Sequence, residues 1–127
     1  VGSEMCIRDR LHIMQACTDG TLAQQEVKFS DGAAACVILA SGGYPAHYEK
    51  GKVITLPDAV PENVTVYHAG DKLENGRLVT SGGRVLGVTA TGKDLKEARR
   101  KAYEATGWIS FENKYMRTDI GKAIDEA

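Results

Sequence analysis

At 127 residues, with 16 Lys and Arg against 17 Asp and Glu, the chain is long enough for one modest core and too evenly charged to project a broad field of either sign. Nucleic acid and anionic membranes are poor partners for such a surface, and 43% hydrophobic with 26% charged residues is the balance of a chain that folds. The longest apolar run, Ala33 to Ala40, is about eight residues where a membrane helix needs about twenty, so no span is expected. No secretory pattern is seen, and the three cysteines, Cys6, Cys17 and Cys36, odd in number and without metal-like spacing, read as buried or free thiols of a reducing compartment, the cytoplasm.

The opening ten residues, VGSEMCIRDR, show neither periodicity nor a cap. They read as a translated sequencing-adapter remnant ahead of a truncated gene, with an ordinary frayed terminus as the alternative, and native sequence is expected from about Leu11. Leu11, Ile13, Met14 and Cys17 then share one side of a short helix that Asp19-Gly20 ends through a left-handed glycine. Val27 and Phe29 alternate with polar neighbours, Asp31-Gly32 signals a turn, and Ala35 to Leu39 read as a buried strand, which together predict a hairpin. Ser41-Gly42-Gly43-Tyr44-Pro45 breaks that strand and opens a long loop to Lys52.

Short β-branched runs follow at Val53-Ile54 and Val64 to His68, kept apart by Pro57 and Pro61, which forbid a continuous helix. Lys72-Leu73-Glu74 and Arg77 to Thr80 flank Asn75-Gly76, the dipeptide that suits a type I′ hairpin turn. After Ser81-Gly82-Gly83 a strand resumes over Arg84 to Ala90. A helix begins at Asp94, with Glu97 to complete a capping box and Leu95, Ala98, Ala102 and Ala105 as its apolar stripe, and Gly107 stops it. Trp108 to Phe111 alternate like a strand, and a last weak helical turn is expected between Ile120 and Ile124.

The chemistry-bearing features are few. Gly42-Gly43 and Gly82-Gly83 each follow a strand; such pairs serve either as strand-ending turns or as loops whose N–H groups approach an anion. Neither matches the Walker or dinucleotide fingerprints. Arg84 stands where a guanidinium at a loop mouth would grip phosphate or carboxylate, and a plain exposed charge also fits. His68 suits either substrate binding or a hydrogen bond within the fold, while Arg117 and Asp119 read as an ion pair docking the tail. No nucleophile elbow, zinc-binding helix or Cys–His arrangement is present, and the scattered acids make no magnesium cluster.

Five strings in order are more specific than any of these. Val37 to Pro45 (VILASGGYP), Tyr48-Glu49-Lys50-Gly51, His68-Ala69-Gly70, Thr80 to Leu86 (TSGGRVL) and Arg117 to Gly121 (RTDIG) closely resemble the C-terminal domain of the phosphoribosylamine–glycine ligase family. The resemblance implies an α+β fold: a β-rich, barrel-sandwich-hybrid-like domain over residues 33–127, preceded over 11–32 by the helix and hairpin that end an ATP-grasp domain. It implies an ATP-dependent carbon–nitrogen ligase of purine synthesis that joins glycine to 5-phosphoribosylamine through glycyl phosphate. ATP and Mg²⁺ or Mn²⁺ serve the full-length family, but their main ligands would precede Leu11, so a fragment with no catalytic or metal-binding residue of its own is expected to be inactive. It would pack on the N-terminal and ATP-grasp domains of the same polypeptide, with Ser81, Gly82, Gly83 and Arg84 near substrate phosphate or carboxylate and Gly42, Gly43 and Tyr44 forming the adjacent wall.

Two positions depart from the family pattern: Asp71 stands where threonine is usual, and Ala46 where glycine is frequent. A carboxylate facing an anion site would oppose binding, which puts the role of His68 in question. Two other readings stay open: a non-catalytic β-rich binding module, and a different ATP-grasp carboxylate–amine ligase of purine synthesis.

Overall fold

The computed structural model describes the backbone of residues 2–125 and the side chains of residues 10–124. The chain falls into two compact units divided between Asp31 and Gly32. The first holds helix α1 (Gly2–Asp19) and a single 3-10 turn (Leu22–Gln24). Gly20, at φ +71°, ends α1 as expected, and the Thr21 N–H donates back to the Ala16 carbonyl at 2.9 Å, the six-to-one bond of a Schellman cap. Leu11, Met14 and Cys17 of the expected apolar stripe are exposed.

The hairpin expected between Val27 and Leu39 is not formed. Residues 25–31 belong to no strand. At Asp31-Gly32 only the glycine has positive φ, whereas a type I′ turn needs both central residues there. Asn75 (φ 51°) and Gly76 (φ 76°) meet that demand, and their hairpin forms as expected.

In the second unit β1 (Ala33–Ser41), β2 (Val64–His68), β5 (Arg84–Gly92) and β6 (Lys114–Tyr115) make an antiparallel sheet in the order β2-β5-β1-β6. A second sheet pairs β3 (Asp71–Glu74) with β4 (Arg77–Thr80). Residues 51–54 run along the other side of β4, with Ile54 N–H donating to Leu78 O at 2.8 Å and Thr80 N–H to Lys52 O at 2.9 Å. The Val53-Ile54 run is thus a bridged segment rather than a full strand.

Strand alternation decides the core. Val37 and Leu39 of β1 stand opposite Val88 and Leu86 of β5, and Val64 opposite Ala90, so one sheet face gathers the buried side chains. Helix α2 (Leu95–Thr106) lies on that face through Ala98, Ala102 and Ala105, whose small side chains permit close approach. Ile109 and Phe111 fill the remainder, so the apolar alternation after Gly107 holds although it yields one bridge, Ser110 to Thr55, and not a strand. Each fully buried Leu contributes about 1.5–3 kcal/mol.

The capping signal at α2 is realised with one change. Asp94 accepts from the Glu97 N–H at 2.8 Å, while the Glu97 carboxylate accepts from the N–H of Lys93, one residue earlier than a closed box requires. At the other end Gly107 is the C-cap that stops the helix as expected, though right-handed at φ −70°, and the Lys114 ammonium adds to the cap by donating to Thr106 O at 2.9 Å and Ile109 O at 2.6 Å. Asp94→Ala is expected to lower the unfolding free energy by about 1 kcal/mol and Asp94→Asn by much less, measured by urea denaturation followed by circular dichroism.

Candidate functional site

The ends of three strands meet in one corner of the sheet. β1 finishes in a tight turn, with Tyr44 N–H donating to Ser41 O at 3.1 Å. Ser41 is buried and ties that turn to the Ser81–Gly83 loop twice, its N–H to Gly83 O at 2.8 Å and its hydroxyl to Gly82 O at 3.0 Å. The Ser81 and Gly82 N–H groups donate to Gly70 O at 2.8 and 2.9 Å, and the Ala69 and Gly70 N–H groups both reach Val85 O at 3.1 Å.

Glycine is required where these backbones touch. A Cβ on Gly70 would lie 2.8 Å from the Gly82 Cα, and a Cβ on Gly83 would lie inside the Tyr44 ring. Gly43 needs glycine for another reason, its φ of +96°.

A register shift aims the charged residue. Leu39 pairs with Leu86, but the next β1 residue, Ala40, pairs with Arg84, which leaves Val85 as the extra residue of a bulge. Val85 stays in the core while Arg84 shares the outer sheet face with Ile38. The result is an open depression of about 470 Å³ lined by Ile38, Tyr44, Ala69, Gly70, Gly83, Arg84 and Leu86.

Of the residues singled out from sequence, Tyr44, Gly83 and Arg84 line this depression. Ser81, Gly82, Gly42 and Gly43 stand behind it, and the N–H groups of the first two are taken by Gly70 O and that of Gly42 by Asn113 O at 2.7 Å. The full anion nest is therefore absent, although among the described residues the Gly43 and Gly83 N–H groups make no hydrogen bond. Arg84 is exposed and has no carboxylate partner among the described residues. Sequence reasoning missed Ser41, Ala69 and Gly70; the His-Ala-Gly string drew attention only to its histidine.

His68 does not line the depression. Its Nδ1 pairs with the Asp71 carboxylate, whose side chain is only 4% exposed. The carboxylate that departs from the family pattern is therefore directed at His68 and does not line the depression.

Other charges are committed to structure. Lys52 bridges Glu49 at 2.8 Å and Glu112 at 2.9 Å, and its hydrogen bonds to those carboxylates hold its pKa above the ordinary ammonium value. Arg117 and Asp119 form a forked pair at 2.9 and 2.7 Å, but the tail is fastened elsewhere: Tyr103 Oη donates to Arg117 O and accepts from Ile120 N–H, and Arg99 Nε donates to Ile120 O at 2.7 Å. No group of three or more His, Cys, Asp or Glu among the described residues suits a metal ion, so no step is assigned to one here.

Sheet, helix and loop junction define an α+β domain of antiparallel sheets. Residues 34–123 match the family described as phosphoribosylglycinamide synthetase, C domain, and the chain belongs to that family. It is 47% identical over 115 residues to the phosphoribosylamine–glycine ligase of Chlorobaculum tepidum, covering 89% of this chain and 27% of that protein. To the Synechocystis ligase of the same name it is 45% identical over 111 residues, 86% of this chain and 26% of the relative. The crystal structure of the Thermotoga maritima phosphoribosylamine–glycine ligase superposes with a TM-score of 0.68 at 42% identity, over 79% of this chain and 25% of that one. This chain thus spans about a quarter of the length of these relatives.

Gly83→Ala is expected to displace the Tyr44 ring and lower stability by about 1–3 kcal/mol in urea unfolding. The Arg117 hydrogen bonds hold the Asp119 carboxyl below its ordinary pKa. A depressed carboxyl contributes stability above its unfolded-state value and loses it as pH falls through the folded one. Arg117→Ala should raise the Asp119 titration toward the ordinary value, read by NMR of the carboxyl carbon.

Proposed function

We propose that this chain works as the C-terminal domain of a phosphoribosylamine–glycine ligase, making glycinamide ribonucleotide from 5-phosphoribosylamine, glycine and ATP in purine synthesis. The observation that supports it is the family match over residues 34–123 together with three ligases of that name at 42–47% identity. On this reading residues 11–32 close an ATP-grasp domain, residues 33–127 form a barrel-sandwich-hybrid-like lid, and residues 1–10 are foreign to the protein. ATP and the divalent metal are held by residues outside this chain, and the cytoplasm is the working compartment.

The chemistry assigns the corner a modest task. A carboxylate does not acylate an amine until its oxygen is made a leaving group by phosphorylation, and the activated acid must then meet the amine before water does. Arg84, with Gly83 beside it in the depression, supplies fixed positive charge for a substrate phosphate or carboxylate. Tyr44 walls the position and keeps the Gly83 backbone in place. Ser81, Gly82 and Gly42 act one step back by holding the loops together.

Joined behind the first three-quarters of the T. maritima ligase, the chain is expected to support glycine- and phosphoribosylamine-dependent ADP release. Arg84→Ala should lower kcat/KM about 10–100-fold, the loss that follows removal of one charged hydrogen-bond partner. Undiminished turnover removes Arg84 from the site, and no turnover in an intact fusion removes the ligase reading.

A further inference from the structure

We propose that Lys50 is a second anion-binding residue of the Arg84 depression, presented by Tyr48, and that the two cations together select the dianion of a phosphate monoester over a carboxylate. This rests on reading the depression as a substrate site of the ligase, and it assigns that site the phosphate end of phosphoribosylamine rather than the carboxylate of glycine.

A ladder of contacts leads from the depression to Lys50. Tyr44 walls the depression with its ring against Gly83. The Tyr48 ring meets that of Tyr44 edge to face, with centroids 5.9 Å apart and planes at 65°. The Lys50 ammonium lies 5.8 Å from the Tyr48 centroid, within cation–π range. The loop that carries these residues is fastened to the corner at both ends. At its start Gly42 N–H donates to Asn113 O at 2.7 Å and Tyr44 N–H to Ser41 O at 3.1 Å. At its finish Gly51 N–H donates to Thr80 O at 2.7 Å and Lys52 N–H to Thr80 Oγ1 at 3.1 Å, one residue before the Ser81–Gly83 loop. Lys50 thus adjoins a backbone fixed against the loop that leads into Arg84, and its four-carbon stem is free to carry the ammonium across the tyrosines.

Charge around the corner is sorted by sign. Glu49 and Glu112 pair with Lys52 at 2.8 and 2.9 Å, and Asp71 pairs with His68, so these acids are already neutralised. Lys50 is exposed and meets an aromatic face instead of the neighbouring Glu49 carboxylate, and Arg84 has no carboxylate partner among the described residues. A cation on an exposed ring is held more weakly than one bonded to a dianion, so Lys50 is kept close and yields to a ligand of higher charge. The number of charges then decides which anion fits. A carboxylate has one, which Arg84 alone satisfies through two parallel hydrogen bonds. A phosphate monoester carries about −1.5 to −2 at pH 7 on three terminal oxygens, enough for the guanidinium fork and an ammonium at once. Lysine suits the second position because its point charge demands no planar partner.

The test titrates the full chain with ribose 5-phosphate and with acetate, followed by the NMR signals of the Gly83 N–H and the Arg84 Nε–H. Ribose 5-phosphate is expected to bind more tightly than acetate, and Lys50→Gln to weaken it about three- to tenfold while leaving acetate unchanged. Lys50→Arg should restore most of the affinity, and Tyr48→Leu should lower it where Tyr48→Phe does not. Equal affinity of the unaltered chain and Lys50→Gln for ribose 5-phosphate overturns the proposal. So does an equal loss for both anions, which marks a general field and not a second contact, and so does the absence of any shift with ribose 5-phosphate. Turnover of the T. maritima fusion is read separately: Lys50→Gln is expected to raise KM for phosphoribosylamine by a similar factor and to leave KM for glycine as it was. A fusion that turns over with both KM values unchanged keeps the ligase reading and removes Lys50, whereas phosphate selection by the free chain with an inactive fusion keeps Lys50 and removes the ligase reading.

Discussion

The corner depends on contact between peptide backbones that leaves no volume for side chains. Gly70 and Gly82 lie Cα against Cα, and the Tyr44 ring occupies the space a Gly83 side chain would need. Those contacts join the end of β1 and the loops that follow β2 and β4, three segments far apart in sequence, and the buried Ser41 hydroxyl locks them by bonding Gly82 O. Backbone-to-backbone packing of this kind is stiff, because peptide units have no rotamers with which to yield. Stiffness matters for a guanidinium on a short strand end. Arg84 loses less freedom on gripping an anion if its own backbone is already fixed, and the bulge at Val85 fixes both its position and its face.

Charge is partitioned in keeping with that. Lys52, Arg117 and Asp71 each face an opposite or hydrogen-bonding partner, and Lys114 caps the end of α2, so these residues hold the fold together. Among the described residues Arg84 is left without a carboxylate partner at the lip of the depression. An exposed surface arginine is ordinary, but an arginine displaced to the uncharged side of a sheet by a register defect has a definite place in the architecture. Asp71 shows the complementary point. Its carboxylate, which would oppose an anion at Arg84, is turned inward to His68 and does not line the depression.

Where local chemistry alone sets the conformation, the sequence was readable. Asn75-Gly76, Asp94 with Glu97, Gly20 after the first helix and the β-branched run at Val64 each specify an element without reference to anything distant. Where partners matter, it was not. Val27 and Phe29 have strand periodicity but no adjoining turn to fold them onto β1, and β6 arises from two residues, Lys114 and Tyr115, that carry no pattern. Gly107 stops α2 as its position predicts, but the Lys114 ammonium that also caps this end is brought back by a turn in which Asn113 takes a φ of 62°, and no local pattern announces it. The glycine pairs look alike as candidate anion loops; only geometry divides them, since the Gly42 and Gly82 N–H groups face carbonyls while Gly83 lines the depression. Nothing in the order of residues announced a bulge, and so nothing announced which way Arg84 would turn.

A small sheet can keep one face dry with a single helix, and α2 does so here with three alanines and the Ile109 and Phe111 pair beside it. The opposite face is the more telling, because a strand shaped only for folding alternates core residues with charged ones. β1 instead alternates core residues with Cys36 and Ile38, and β5 with Gly87 and Thr89. Such a strand has two apolar or neutral sides, the pattern of a sheet covered on both, while the second unit covers only one. The same strands carry Arg84 and the glycine corner at their ends.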